Sequence, residues 1–160
     1  MKKYYSPKSD IHFLARGLLL TPSGDVVLCR PVGKKWFFLP GGHIENGESA
    51  RDALGREIVE EMGEVGHKIT SFVGLCENIF DYDEAKLQHE VNVIFEVDLE
   101  RESVSSKLEH IEFVTVKKED LRNIEIMPPE IKDGIIEWLE NKKPFFKELN
   151  NNFGESNGAS

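Results

Sequence analysis

From Gly42 to Glu64 the chain reads GHIENGESARDALGREIVEEMGE, a turn-rich loop that feeds one helix and is closed by a glycine. Ser49 or Glu48 near the helix start supplies an acceptor for its orphan N–H groups, and Gly63 predicts the stop. Leu54, Ile58 and Met62 recur every four residues, an apolar stripe that has to find a core. Glu57, Glu60 and Glu61 stand at i, i+3, i+4, so three carboxylates share one face beside that stripe, at the core's edge. Like charges at this spacing repel one another. A cation is therefore expected among them, and hard divalent ions such as Mg2+ or Mn2+ favour oxygen ligands. On a generic helix the ordinary alternative is a solvated acidic face.

The spacing of Gly42, Glu48, Arg56, Glu57, Glu60, Glu61 and Gly63 resembles the signature of the Nudix hydrolase family, of the MutT-like kind. The family pattern has an aliphatic residue after the final glycine. This chain has Glu64 there, and Val65 is expected to take over the packing. The resemblance implies an α/β fold, an α/β/α sandwich around a mixed β-sheet, with the loop and helix presented at the substrate cleft. It carries a metal-ligand role onto Glu57, Glu60 and Glu61 and adds the backbone carbonyl of Gly42. It also implies hydrolysis of the pyrophosphate bond in a nucleoside diphosphate linked to another moiety, by metal-activated water attacking phosphorus. Glu57 is the expected ligand and a candidate base. The alternative reading is a non-catalytic Nudix-fold nucleotide-binding or regulatory module. A structural acidic domain that binds a basic protein would leave the glycine spacing unexplained.

The rest of the chain fits one soluble domain over residues 1–149, followed by a loose tail over 150–160. A chain of 160 residues and 18.2 kDa buries roughly 70% of its unfolded surface. No apolar run approaches the ~20 residues needed to span a bilayer. The basic N-terminus MKKYYSPKSD is not followed by an apolar stretch of signal-peptide length, which leads us to expect a cytoplasmic protein. Cys29 and Cys76 lie in apolar segments without metal-ligand spacing and read as small buried hydrophobes. A formal charge of -9 argues against long nucleic acid as a partner. A small anionic substrate would need metal to bridge it to such a surface. The exposed ends of the strands leave a homodimer open.

Apolar runs separated by turn residues predict a hairpin from Ile11–Leu20 and Val26–Cys29, a third short strand over Trp36–Leu39, and a loop starting at Pro40. Ile69–Phe80 and His89–Asp98 predict a second hairpin around an acidic turn, and Ile111–Val116 a further strand. Pro128–Asn141 predicts a helix with Ile131, Ile135, Trp138 and Leu139 on its apolar side.

Several polar residues are chemical candidates. Arg56 can reach Glu48 across the loop as a bidentate ion pair that orients the carboxylates. Val91, Val93, Phe95 and Val97 alternate to one side of their strand, leaving Glu90, Asn92 and Glu96 on the other. Glu90 is the first candidate for a carboxylate outside the motif, as a further ligand or general base. Glu77 is the second, because it shares its face with Val73, Leu75 and Ile79. His43 and His89 lie near the motif and Glu90 without an assigned role. Tyr82, Phe80 and Phe37 are the candidates for stacking on a nucleobase, with Tyr82 in a polar turn the best placed.

Overall fold

The computed structural model describes residues 11–83 and 86–151. In chain order they form β1 (Ile11–Leu20), β2 (Val26–Pro31), β3 (Gly41–His43), α1 (Ala50–Met62), β4 (His67–Asp83), β5 (Lys86–Leu99), β6 (Ile111–Val116), a 3₁₀ turn (Lys118–Asn123), α2 (Pro129–Asn141) and β7 (Phe145–Asn151). The strands make one mixed sheet in the order β6-β2-β1-β5-β4-β7, with β3 paired to β1. β1 runs parallel to β5 and β4 parallel to β7, while the other named pairs are antiparallel.

Both sheet faces are covered, which makes an α/β/α sandwich. On one face Leu54, Ile58 and Met62 of α1 pack with Ala15, Leu19, Val27 and Val97. On the other, Ile131, Ile135 and Trp138 of α2 pack with Leu18, Leu28, Cys76 and Ile94. Leu54 and Ile58 are fully buried, each stabilising the fold by about 1.5–3 kcal/mol. Trp138 donates its ring N–H to Glu96 Oε2 at 2.6 Å, and Lys142 Nζ reaches the same oxygen at 2.9 Å, so the Glu96 carboxylate is satisfied beneath α2. Burial raises the pKa of both Cys29 and Cys76, which keeps the thiols protonated.

The expected third strand over Trp36–Leu39 is absent as a ladder. Only two isolated bridges form there, Cys29 to Phe38 and Phe37 to Ile126. The cause lies in the first hairpin, whose register holds only at Leu19–Val27 and Leu20–Val26. β1 and β2 then diverge, and the 36–43 segment enters the wedge. Phe38 exchanges 2.9 Å backbone hydrogen bonds with Cys29, Gly17 N–H donates to the Pro40 carbonyl, and Gly41 to His43 pair with Arg16 to Leu14. The expected loop start at Pro40 is thus partly strand β3. Gly41 has φ 137°, and a Cβ there would strike the Ala15 carbonyl oxygen, so β1 and β3 approach as only glycine permits. Strand β7 was not foreseen, and it runs through Asn150 and Asn151, past the expected start of the tail.

Candidate functional site

Helix α1 begins where Ser49 Oγ accepts the Asp52 N–H at 3.1 Å and ends at Gly63, whose φ is 79°. Between these caps the helical period sorts the three glutamates by depth. Glu61 is 7% exposed, the Glu57 side chain 17% and the Glu60 side chain 57%. Glu57 and Glu61 stand one turn apart beside the Gly41–Gly42 backbone, near enough for the charge of Glu57 to act on Glu61. A Cβ on Gly42 would overlap the Glu57 carboxylate, so this glycine lets the main chain lie directly against it.

Glu61 is pushed up to about 7. Burial is the main cause and the charge of Glu57 the next, opposed by Arg16 and by a hydrogen bond from the Gly41 backbone. Its Oε2 is buried without a hydrogen-bond partner. Two neighbouring carboxylates, one oxygen of Glu61 orphaned, form a donor set of the hard, oxygen-only kind that divalent cations take. Among the described residues no three His, Cys, Asp or Glu side chains converge into a ready cage for a metal ion. Glu57 and Glu61 fit such an ion as a partial ligand set, with further positions left for backbone, water and substrate oxygens, the arrangement Mg2+ accepts readily.

Arg56 ties this region together. Its Nη2 donates to Glu48 Oε1 at 2.6 Å and its Nε to Glu48 Oε2 at 3.1 Å, the expected bidentate pair. Its Nη1 donates to Glu57 Oε1 at 3.0 Å and to the Glu60 carboxylate at 3.3 and 3.4 Å, and Nη2 also reaches the His43 carbonyl at 3.0 Å. Glu48 in turn accepts the Glu45 N–H at 2.8 Å. Arg56 first, then that backbone bond, holds the Glu48 carboxyl below the usual carboxylate range. One guanidinium therefore fixes the loop, the helix and the orientation of Glu57. Glu60 is drawn to Arg56 rather than to the Glu57–Glu61 pair.

On the α2 side of the sheet, beside this acidic pair, lies a cleft of about 580 Å³. Arg16 connects the two. It lines the cleft, donates Nε to Asn92 Oδ1 at 3.3 Å, and donates Nη1 to the Leu39 and Gly41 carbonyls at 3.2 Å each. Burial lowers its pKa from the ordinary value, while Glu90, Glu61 and Glu57 act in the opposite sense. Trp36, Phe38 and Phe80 form aromatic parts of the wall.

Glu90 lines this cleft. Glu77 does not; it lies on the opposite sheet face, where His89 Nε2 is 2.8 Å from Oε2. A bulge separates it from Val73, which packs on the α2 side instead of sharing its face as expected. His43 Nε2 lies 3.1 Å from His12 Nδ1 at the exposed end of β1. Of the proposed stacking residues, Phe80 lines the cleft, whereas Phe37 is 7% exposed within the core. Its neighbours Trp36 and Phe38 face the cleft in its place, because alternation sends adjacent side chains to opposite sides. The Tyr82 side chain lies outside the described residues. Val65 is 8% exposed in the α1 cluster while Glu64 is exposed, so the packing role shifts by one position.

Sequence reading missed Arg16, Asn78 and Asn92. A charged residue inside the apolar run FLARGLLL was the available signal for Arg16, since burying an arginine requires partners. Nothing in the local pattern distinguished Asn78, whose environment depends on the pairing of β4 with β5.

The NUDIX domain model matches residues 12–141. No curated protein shows significant similarity to the chain. Among solved structures, the MutT protein from Methanosarcina mazei Go1 is similar at TM-score 0.68 and 22% identity, covering 86% of this chain and all (100%) of that one. A NUDIX hydrolase from Nitrosomonas europaea gives TM-score 0.66 at 16% identity, covering 89% of this chain and 80% of that one. The NUDIX domain of Shewanella oneidensis NrtR, complexed with ADP ribose, gives TM-score 0.63 at 17% identity, covering 87% and 94%. At these identities the structures speak to the fold. The domain match spans most of the sequence and includes the whole segment from Gly42 to Gly63, and on that ground the chain belongs to the Nudix family.

Proposed function

We propose that the protein is a hydrolase dependent on Mg2+ or Mn2+ that cleaves the pyrophosphate bond of a nucleoside diphosphate linked to another moiety. The carrying observation is the Glu57–Glu61 pair against Gly42, with Glu61 buried and one of its oxygens unpartnered. Glu57 and Glu61 would hold the cation, with the Gly42 carbonyl as a further ligand and Glu60 at the outer edge. When bound, a divalent cation neutralises diphosphate charge and acidifies water for attack on phosphorus. Arg56, braced by Glu48, keeps the Glu57 carboxylate oriented. Arg16, at the junction with the cleft, would face the negative charge of the diphosphate. Glu90 is a candidate general base from the cleft side. The substrate is a small molecule, and the NrtR domain's complex with ADP ribose supports a nucleotide derivative. Among the described residues no helix is long and apolar enough to cross a membrane, in keeping with a cytoplasmic enzyme.

The test is product release from a panel of nucleoside diphosphate derivatives with Mg2+ or Mn2+, with EDTA as control. We expect turnover that EDTA abolishes. Glu57→Gln should fold normally and lose about a hundredfold or more in rate. Undiminished activity in the variant would overturn the role of Glu57. Tight nucleotide binding without product from any panel member would favour the binding module.

A further inference from the structure

On the α1 side of the sheet, helix α1 packs on Ala15, Leu19, Val27 and Val97, toward the C-terminal ends of β1 and β5, while α2 lies on the other side. The half of this face nearer the starts of β1 and β5, continuing across β4 and β7, is apolar and open to solvent. Strand alternation sets Ile11 and Phe13 of β1, Leu87 of β5 and Phe146 of β7 there, and Phe72 of β4 joins them edge-on to Phe95. Each is between 38% and 60% exposed. They are five of the seven large apolar residues exposed among the described residues, so the exposure is gathered on one face instead of scattered. We infer that this face is the interface of a two-fold symmetric dimer of this chain.

Size and charge identify the occupant. With about 200 Å² for a whole large apolar side chain, the five residues present roughly 500 Å², before the half-buried Leu75, Ile79, Val91 and Val93 among them are added. That is at the upper end for the largest patch on a monomer, and with a polar rim it reaches the ~800 Å² per partner of a standard interface. Within the apolar ring His89 Nε2 of β5 lies 2.8 Å from Glu77 Oε2 of β4, so these two groups already satisfy each other and the face can lose its water without stranding a charge. Under a two-fold axis midway between them, the carboxylate of each copy meets the imidazole of the other, so a face carrying one such pair is complementary to itself. An anionic lipid surface is disfavoured by Glu148, opposite Glu77 in the β4–β7 register, and by the net charge of -9.

The test is the mass of the full-length protein in solution, from sedimentation velocity and light scattering at micromolar concentration. The wild type should show twice the 18.2 kDa of the chain. Phe13→Asp and Phe146→Asp, both at exposed positions, should fold and run as monomers. Val32→Asp, at an exposed position beside the start of β6, should remain a dimer. Glu77→His sets imidazole against imidazole across the two-fold axis and should weaken the dimer, and adding His89→Glu exchanges the two groups and should restore it. A monomeric wild type overturns the inference and leaves the face to another occupant, as does a dimer that survives both Phe13→Asp and Phe146→Asp. Hydroxyl-radical footprinting of the wild type decides the case where a variant fails to fold: Phe13 and Phe146 should be protected in the dimer and labelled on dilution, and labelling that dilution leaves unchanged contradicts the assignment.

Discussion

Replacing Glu61 by Gln keeps the shape of a buried side chain and removes its charge, so the effect on stability should depend on pH. The free carboxyl titrates near 4.5, whereas in the folded protein burial and Glu57 raise it to about 7. Below 4.5 it is protonated in both states. Between those values the folded protein binds the proton and the unfolded chain does not, so stability falls as pH rises through this window and the loss is complete above 7. At pH 8 the cost is on the order of 3 kcal/mol. Glu61→Gln avoids it, and for a domain of this size 3 kcal/mol corresponds to about 6–12 °C in melting temperature. Thermal unfolding in EDTA should show the variant more stable than wild type at pH 8 and closely matched at pH 4.5. Mg2+ at pH 8 and about a thousand times its Kd should reverse the order, because it adds about 4.1 kcal/mol to the form that binds it, more than that cost. Equal melting differences at the two pH values in EDTA would refute the reasoning.

Arg56→Lys keeps a positive charge but cannot form the bidentate pair with Glu48 while also bonding Glu57. Mg2+ affinity measured by titration calorimetry should fall about 10–100-fold with the fold retained. Gly42→Ala places a methyl group against the Glu57 carboxylate. It should lower metal affinity by a larger factor than Ala substitution at Gly47, where a Cβ meets nothing within 4 Å, although Gly47→Ala strains a φ of 90°. Ile58→Ala empties a fully buried site beneath α1, and urea denaturation should show a loss of about 2–5 kcal/mol.

Much of this fold was legible because each element carried its own local signal. Ser49 and Gly63 bracketed α1, Leu54, Ile58 and Met62 marked its buried face, and turn residues separated β1 from β2 and β4 from β5. The errors came where pairing overrode local pattern. Phe37 and its neighbours read as a strand, yet the opening hairpin gave them only single bridges and turned Trp36 and Phe38 toward the cleft. β7 pairs in parallel with β4, a contact across some seventy residues that no local period encodes. The acidic motif was visible as spacing, but the division of labour among its glutamates was not. Helical rotation buries Glu61 and exposes Glu60, and only the packed sheet decides which carboxylates meet Gly42.

Mn2+ binding followed by electron paramagnetic resonance at pH 8 tests the proposed metal role of the Glu57–Glu61 pair most directly. The free-ion signal should fall as wild-type protein is added, and Glu57→Gln and Glu61→Gln should each weaken that binding by about tenfold or more. Wild-type protein that leaves the free Mn2+ signal unchanged, or variants that bind as well as wild type, would contradict the account.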